Sequence, residues 1–229
     1  MGIPVLIIGE SGSGKTYSIK NLDPENVGIF LCEKNRLPFR KPFPTYKVKN
    51  MMTEDGKTVR QSAVIQTMLK HPRTPKKIYV VDDSQYIMAN EFFDRAAEKG
   101  YDKFVDIGAN FRNLVHMVNN ELPDDVIVYF LHHPETDQNT GKLKAKTIGR
   151  MLDEKLTLEG CFDIVLMTRT DGHDHWFATQ SDGTNTAKSP EEMFPDRIPN
   201  DLALVDRTIR EYYGLAPIVN NNEEKEGNW

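Results

Sequence analysis

The stretch Gly9-Glu-Ser-Gly-Ser-Gly-Lys-Thr16 decides the fold, because it matches the phosphate-binding loop pattern G-x-x-x-x-G-K-[ST]. Successive backbone N–H groups can wrap an anion only where no Cβ blocks the approach, which explains the glycines. Lys15 would supply a charge to the β- and γ-phosphates, and Thr16 a hydroxyl to Mg²⁺. We expect the nucleotide to contact the loop and the residue after it: Gly9, Glu10, Ser11, Gly12, Ser13, Gly14, Lys15, Thr16 and Tyr17.

The loop lies between a predicted strand and a predicted helix. Ile3 to Ile8 is a near-continuous apolar run, as expected for a strand buried on both faces of a parallel sheet. Lys15 to Leu22 reads as a short helix that ends at Asp23-Pro24 and points its positive end at the phosphates. A Gly/Ser-rich turn that merely links the two elements is the alternative interpretation. The context favours phosphate binding.

The composition indicates a soluble globular protein. The chain has 229 residues, 38% of them hydrophobic and 28% charged, with a net charge of −5. We expect one α/β domain over residues 1–218, followed by a disordered acidic tail over 219–229. The sequence suggests neither a membrane span nor secretion, so the expected location is cytoplasmic. Cys32 and Cys161 lie in apolar surroundings and are predicted to be buried thiols.

Two further predicted strands end in acidic residues. Val27 to Cys32 is followed by Glu33, which would orient an attacking water at the carboxyl end of the sheet. Ile78-Tyr-Val-Val-Asp-Asp-Ser84 has the Walker B arrangement, in which the strand delivers Asp82 to the Mg²⁺ side of the nucleotide. Asp83 would support Asp82 or hold a water.

A histidine pair, His132-His133, follows the predicted strand Val126 to Leu131. Polar residues at this position would face the γ-phosphate and sense its hydrolysis. The pair is also a candidate for metal binding, although a third ligand at a suitable spacing is missing. A second set, His173 and His175, lies at the turn of a predicted hairpin and is expected to be solvent-exposed.

Three basic segments are candidates for contact with nucleic acid. Residues 34–50 mix cations with Phe39, Phe43 and Tyr46, which favours either single-strand binding or a loop followed by a solvated edge strand. Lys99 to Phe104 forms a glycine-containing break between two predicted helices. Lys142, Lys144 and Lys146 alternate, so their ammonium groups would share one side of an extended segment, as a solvated face or as a phosphate contact.

The remaining pattern alternates helices with strands. Apolar periodicity predicts five helices after the phosphate loop: Val59–Lys70, Tyr86–Glu98, Ile107–Leu122, Thr147–Leu158 and Pro199–Tyr213. A strand is predicted over Cys161–Arg169. It leads through the turn Asp171-Gly172 into a return strand over Trp176–Gln180, which forms a C-terminal hairpin with Lys188 at its far end.

In the order of these motifs, over most of residues 1–215, the chain resembles the RecA-type core of recombination ATPases. It is particularly similar to short phage-encoded P-loop proteins, including the Sak-type single-strand annealing ATPases. The resemblance implies a RecA-like P-loop NTPase fold, with a mostly parallel central sheet flanked by helices. It also implies ATP and Mg²⁺ as cofactors and action on single-stranded DNA in phage recombination or replication.

The resemblance assigns roles to individual residues. Glu33 would be the general base, His133 would contact the γ-phosphate, and Lys188 would enter a neighbour's nucleotide site, which implies a homo-oligomer, either a ring or a filament. A single-strand binding or replication protein is a further expected partner. The DNA-contacting loops would be Lys99–Phe104 and Pro134–Arg150, with these cations: Lys99, Lys103, Lys142, Lys144, Lys146 and Arg150.

Two other functions share the same beginning of strand, loop and helix. A small-molecule or nucleotide kinase would close Arg150 and the stretch around Lys142 over the donor phosphate as a lid. A helicase-loading switch would bind ATP and a partner protein with little turnover. Phosphoryl transfer without DNA would indicate the kinase, and co-purification with a replicative helicase would indicate the switch.

Overall fold

The computed structural model describes residues 1–33, 36–148 and 157–218. Arg150, most of the predicted helix Thr147–Leu158 and the predicted tail over 219–229 therefore lie outside the described residues, as do positions 34 and 35 of the first basic segment. In the described part of the chain, no helix is long and apolar enough to cross a membrane.

Eight strands form one central sheet. Its order is β12-β11-β10-β1-β7-β6-β2-β3, and the six strands from β10 to β3 are parallel, whereas β11 and β12 are antiparallel additions. The bounds of its strands are β1 Ile3–Ile8, β2 Val27–Leu31, β3 Thr45–Lys47, β6 Ile78–Asp82, β7 Ile127–His132, β10 Ile164–Thr170, β11 His175–Ala178 and β12 Arg197–Pro199. Two small hairpins stand apart: β4 Met51–Met52 with β5 Thr58–Val59, and β8 Pro134–Thr136 with β9 Leu143–Ala145.

Helices cover both faces of the sheet. Side chains of β1 alternate between two cores, with Leu6 and Ile8 in one and Val5 and Ile7 in the other, which explains why the run is apolar throughout. The first core includes side chains of three helices: α1 Gln61–Lys70, α2 Gln85–Asp94 and α3 Asp102–Glu121. The second is covered by α4 Leu202–Tyr213 and by a short 3₁₀ helix, Thr16–Asn21.

The helix after the phosphate loop is shorter than predicted. It comprises six residues, Thr16–Asn21, and is a 3₁₀ helix instead of an α-helix. Pro24 disfavours helical backbone at Asp23, so the chain turns away after about two turns. With so few aligned peptide dipoles, the helix contributes little charge of its own to an anion site. Anion binding therefore depends on the loop itself.

A buried ion pair fastens α4 beneath the sheet. Arg210 Nε donates to Asp206 Oδ2 over 2.7 Å, and its other nitrogens donate to the carbonyl oxygens of Asp125 and Lys77. Tyr129 in β7 donates its hydroxyl to Asp206 at 3.3 Å. Burial raises the pKa of Asp206 in spite of the opposing effect of Arg210. The two carbonyls precede β7 and β6, so the ion pair joins the amino ends of both strands.

The first basic segment uses its aromatic rings inside the protein. Phe39 and Phe43 pack against the second core, and Tyr46 in β3 lies with its ring centroid 5.5 Å from that of Phe30. The predicted edge strand is confirmed as β3, which pairs with β2 at the border of the sheet. These three rings therefore pack inside the protein. This supports the alternative of a loop followed by an edge strand over the use of the rings for base stacking.

Candidate functional site

The parallel topology gathers the predicted polar residues at one edge of the sheet. We call this border the loop edge, because β1, β2, β6 and β7 all end there and are followed by Gly9, Glu33, Asp83 and His133. One strand, β7, lies between the strand of the phosphate loop and the strand that ends in Asp82. The phosphate loop and Asp82 therefore meet at this edge, where the carboxyl ends of the parallel strands lie.

The phosphate loop needs its glycines for steric reasons. Gly12 and Gly14 have φ angles of +81° and +98°, which side-chain-bearing residues rarely adopt. A Cβ at Gly9 would lie 1.6 Å from Thr168 Oγ1, and one at Gly14 would lie 2.3 Å from Asn200 Nδ2. The backbone conformation and the close neighbours therefore both require glycine, and the loop has the open cradle that an anion needs.

Lys15 lies within the cradle. Its side chain is buried, and its ammonium group donates to the carbonyl oxygens of Gly9 and Glu10, the latter at 2.9 Å. The charge is thus held at the loop by groups of the loop itself. An ammonium in this position can exchange a carbonyl oxygen for a phosphate oxygen through a small movement of its flexible stem.

Thr16 and Asp82 meet at the base of the loop. Thr16 Oγ1 donates to Asp82 Oδ1 over 2.9 Å, and both residues are buried. A hydroxyl and a carboxylate at this separation offer oxygen ligands to one small hard cation, and Mg²⁺ takes its remaining ligands from water and substrate phosphates. Among the described residues, no group of three or more His, Cys, Asp or Glu side chains could hold a metal alone. The residues present fit Mg²⁺ that arrives with a nucleotide.

Asp83 and His133 form a second pair beside this one. His133 Nε2 lies 3.3 Å from Asp83 Oδ1. Asp83 has a φ angle of +58°, a left-handed conformation that Asp tolerates better than most residues but that still carries strain. The tight turn aims the Asp83 carboxylate at His133, which lines the same cavity as the phosphate loop. This is the side expected for the γ-phosphate.

His132 has a structural role instead. Its Nδ1 lies 2.9 Å from Ser84 Oγ, and its Nε2 donates to the carbonyl oxygen of Lys146 over 2.7 Å. Burial is the main cause that lowers the pKa of His132 to about 4, so the ring is neutral near pH 7. Since both ring nitrogens have partners in the protein, the pair His132-His133 does not offer two metal ligands together. His132 thus connects Ser84, just after β6, to Lys146, just after the β8–β9 hairpin.

The other side of the loop is held by the C-terminal part of the sheet. Ser13 Oγ and Thr168 Oγ1 share a hydrogen bond, and His175 Nδ1 lies 3.0 Å from the carbonyl oxygen of Ser13. Asn200 Nδ2 donates to the carbonyl oxygen of Gly14 over 3.1 Å. The His175 and Asn200 contacts occupy loop carbonyls, whereas the loop N–H groups of Gly9 and Ser13 donate to the carbonyl oxygens of His132 and Glu10. The sequence did not single out Thr168 or Asn200, because neither lies in a local motif.

A cavity of about 560 Å³ lies over the loop. It is lined by residues of the loop and by groups from several other segments: Glu10, Ser11, Gly12, Gly14, Lys15, Thr16, Tyr17, Pro38, His133, His173 and His175. His173 and His175 are exposed in the β10–β11 hairpin, as predicted, yet they also line this cavity. Its volume lies within the range of small-ligand sites.

Besides Asp82, which is buried in contact with Thr16, two predicted catalytic residues lie outside this lining. Glu33 is exposed at the loop edge after β2, and it is not among the described residues that line the cavity. Lys188 is exposed, and its backbone pairs with that of Val165 near the start of β10, away from the loop edge. In both cases the proposed role remains a prediction.

The predicted DNA-contacting cations differ in their exposure and in the contacts that their ammonium groups make within the protein. Lys144 Nζ lies 3.3 Å from Asp137 and 3.8 Å from Glu135. Lys103 donates to the carbonyl oxygens of Arg95 and Glu98. The other described cations of the set are Lys99 and Lys146, which are exposed, and Lys142, which is half-buried.

Comparison of the sequence with protein-family models and with curated proteins gave no match.

Proposed function

We propose that the protein binds and hydrolyses a nucleoside triphosphate, ATP, with Mg²⁺, as a member of the RecA-like class of P-loop ATPases. The observation that carries the proposal is the 2.9 Å contact between Thr16 Oγ1 and Asp82 Oδ1 at the base of a glycine-lined loop that contains Lys15. Thr16 begins the helix after the β1 loop, Asp82 ends β6, and β7 lies between β1 and β6, so their meeting is a property of the fold and not of adjacent sequence.

The residues divide the chemistry between them. The loop N–H groups and Lys15 would hold the phosphates, and their charge opposes the negative charge that develops during transfer. Thr16 and Asp82 would hold the cation, which neutralises the β- and γ-phosphates when bound. His133 would contact the γ-phosphate. Two carboxylates are candidates to orient the attacking water: Glu33, which follows β2, and Asp83, which already contacts His133.

Action on single-stranded DNA by an oligomer is the biological part of the proposal. It rests on the exposed cations Lys99 and Lys146 and on the resemblance described above. The backbone N–H of Lys146 donates to the carbonyl oxygen of His133. The β8–β9 hairpin with its lysines is therefore joined directly to the residue that would contact the γ-phosphate. Lys188, on the far side of β10, would reach the nucleotide site of an adjacent subunit.

One observation favours the kinase as a second candidate. A cavity of about 310 Å³ shares His133 with the phosphate cavity, and Lys146 is another of its lining residues. A phosphoryl acceptor in this cavity would face the γ-phosphate. Incubation with radiolabelled ATP and a panel of nucleosides, nucleotides and sugars would test this function. Release of inorganic phosphate alone would favour the ATPase.

Replacement of Lys15 tests the central proposal. We expect Lys15→Ala to weaken binding of a non-hydrolysable ATP analogue at least about tenfold, because charged hydrogen bonds to the phosphates are lost. Lys70→Ala is a matched control, since Lys70 pairs with Glu121 on the surface of the helical layer. Calorimetric titration would measure both variants. Equal affinity of the Lys15 variant and the wild type would refute the proposal.

The two candidate carboxylates can be separated by measuring ATP turnover with and without single-stranded DNA. If Glu33 is the base, Glu33→Gln abolishes turnover and Asp83→Asn retains part of it. The opposite pattern would transfer the role to Asp83. Binding of the ATP analogue should persist in both variants, which separates loss of chemistry from loss of the site.

A further inference from the structure

The tip of the β10–β11 hairpin lies over the phosphate loop. His173 and His175 stand on either side of Asp174, and both line the cavity above the loop. The turn is held by Asp171, whose carboxylate accepts the backbone N–H groups of His173 and Asp174 at 3.0 and 2.9 Å. The Asp171 carboxylate therefore holds the turn without the histidine side chains.

The contact of His175 with the loop determines the chemistry of its other nitrogen. The partner of Nδ1 is a carbonyl oxygen, that of Ser13, so Nδ1 must donate. In the neutral imidazole, Nε2 then carries the lone pair and accepts hydrogen bonds. Ribose hydroxyls and the amino groups of bases are donors, whereas the oxygens of a bound polyphosphate are acceptors. The nucleoside part of a nucleotide is the better match to this ring.

The position of the hairpin indicates the same end of the ligand. Asp82 ends β6 and His133 follows β7, and both strands lie on one side of β1. Under the proposed function, this is the side of the β- and γ-phosphates and their cation. The hairpin belongs to β10 and β11, on the opposite side of β1. A nucleotide whose β- and γ-phosphates lie at Lys15, Thr16 and Asp82 has its nucleoside left for the remaining part of the cavity.

We propose that His173 and His175 bind the ribose and base of the nucleotide, so that the hairpin is the nucleoside-recognition element of the site. This inference rests on the proposed function, because it requires the loop to hold the polyphosphate. His175 has two tasks in this arrangement: it supports the Ser13 carbonyl through Nδ1 and faces the ligand through Nε2. His173 lies at the exposed tip and serves the nucleoside alone.

The test compares two ligands that share a chain of three phosphorus groups and of which only one carries a nucleoside. Calorimetry would measure the binding of magnesium tripolyphosphate and of a non-hydrolysable ATP analogue with magnesium to the full chain. We expect His173→Ala to weaken binding of the analogue about three- to tenfold, the effect of one lost hydrogen bond or ring contact, and to leave tripolyphosphate unchanged. His175→Ala should weaken both ligands, and the analogue more strongly.

A histidine outside the cavity supplies the control. His71, which is exposed at the end of α1, should be replaceable by Ala with no effect on either ligand. Equal effects of His173→Ala on the two ligands, or no effect on the analogue, would overturn the nucleoside assignment while leaving the phosphate loop in place. If wild-type protein bound neither ligand, the proposed function itself would fail.

Discussion

The phosphate loop is held from two sides by different kinds of contact. Toward β7 and β6, the contact runs through Thr16 and Asp82, whose oxygens are the groups that a cation would take. Toward β11 and β12, the contacts run through the carbonyls of Ser13 and Gly14, which no anion would use. If the loop binds a nucleotide with its cation, the first side, which we call the reactive side, has to rearrange, whereas the second, the scaffold side, can keep its contacts.

The largest expected effect comes from the reactive side. Asp82→Asn keeps the size of the side chain and one hydrogen-bonding oxygen but removes the negative charge that would neutralise the cation. We expect ATP turnover to fall at least about a hundredfold, the range found for loss of a single electrostatic contact to a reacting group. Nucleotide binding without magnesium should change little. A steady-state phosphate-release assay across magnesium concentrations would measure this, and unchanged turnover would contradict the two-sided description.

The scaffold side can be tested with a pair of glycines. Gly14→Ala places a Cβ 2.3 Å from Asn200 Nδ2, whereas a Cβ at Gly12 meets nothing within 4 Å. Both substitutions carry the strain of a positive φ, about 1–2 kcal/mol, but only Gly14→Ala adds the clash, about 1–3 kcal/mol more.

Urea unfolding of the two variants would measure the difference in the free energy of unfolding. Equal losses of stability would show that the Asn200 contact yields easily and does not define the loop. The phosphate affinity of Gly14→Ala should fall together with its stability, because the same carbonyl orients the cradle.

The free energy of unfolding should depend on pH through His132, which lies in β7 on the reactive side. Its pKa falls to about 4 in the folded protein, below the usual value near 6.5, so the unfolded chain binds more protons between these values. The stabilising contribution is thus complete above pH 6.5 and is lost as the pH falls toward 4. At pH 5 we expect a loss of about 2 kcal/mol relative to pH 7.5.

Replacement of His132 by Gln should remove this dependence, whereas His71→Gln, at an exposed position, should retain it. Urea unfolding at a series of pH values would give both slopes. A His132→Gln variant with the same slope as the wild type would show that another group titrates.

The smallest expected effect is at Thr168. Thr168→Val retains the shape of the side chain and removes the hydroxyl that contacts Ser13 Oγ and, at 3.3 Å, the Ile8 carbonyl. Ser13 keeps its bond to the Glu10 carbonyl, so we expect a loss of about 1 kcal/mol in stability. Magnesium dependence should not change. Thr67→Val, in the exposed face of α1, is the matched control.

The two sides also differ in how much of them the sequence could predict. Gly9, Lys15 and Thr16 form a local pattern, and Asp82 ends an apolar run, so the reactive side and the four strands around it followed from short stretches. The scaffold side depends on contacts between residues 13 and 175 and between residues 14 and 200. Local patterns cannot show which distant turn will meet a loop, because that is decided by strand order.

Charge patterns were the least informative part of the sequence. Alternation of Lys142, Lys144 and Lys146 predicted a shared face, but Lys144 lies between Asp137 and Glu135 in the small β8–β9 hairpin. Glu135 lies opposite Lys144 in β8, and Asp137 follows that strand. The alternation of lysines did not reveal these two ion-pair partners. Apolar runs predicted the sheet well because burial on both faces leaves few alternatives, whereas a surface lysine has many.

The ion pair of Arg210 with Asp206 has a consequence for motion. It binds α4 to the carbonyls that precede β6 and β7, at the border of the sheet farthest from the loop. This contact fixes the amino ends of β6 and β7 to α4. Rearrangement at the phosphate loop would leave the ion pair in place, because the two lie at opposite borders of the sheet.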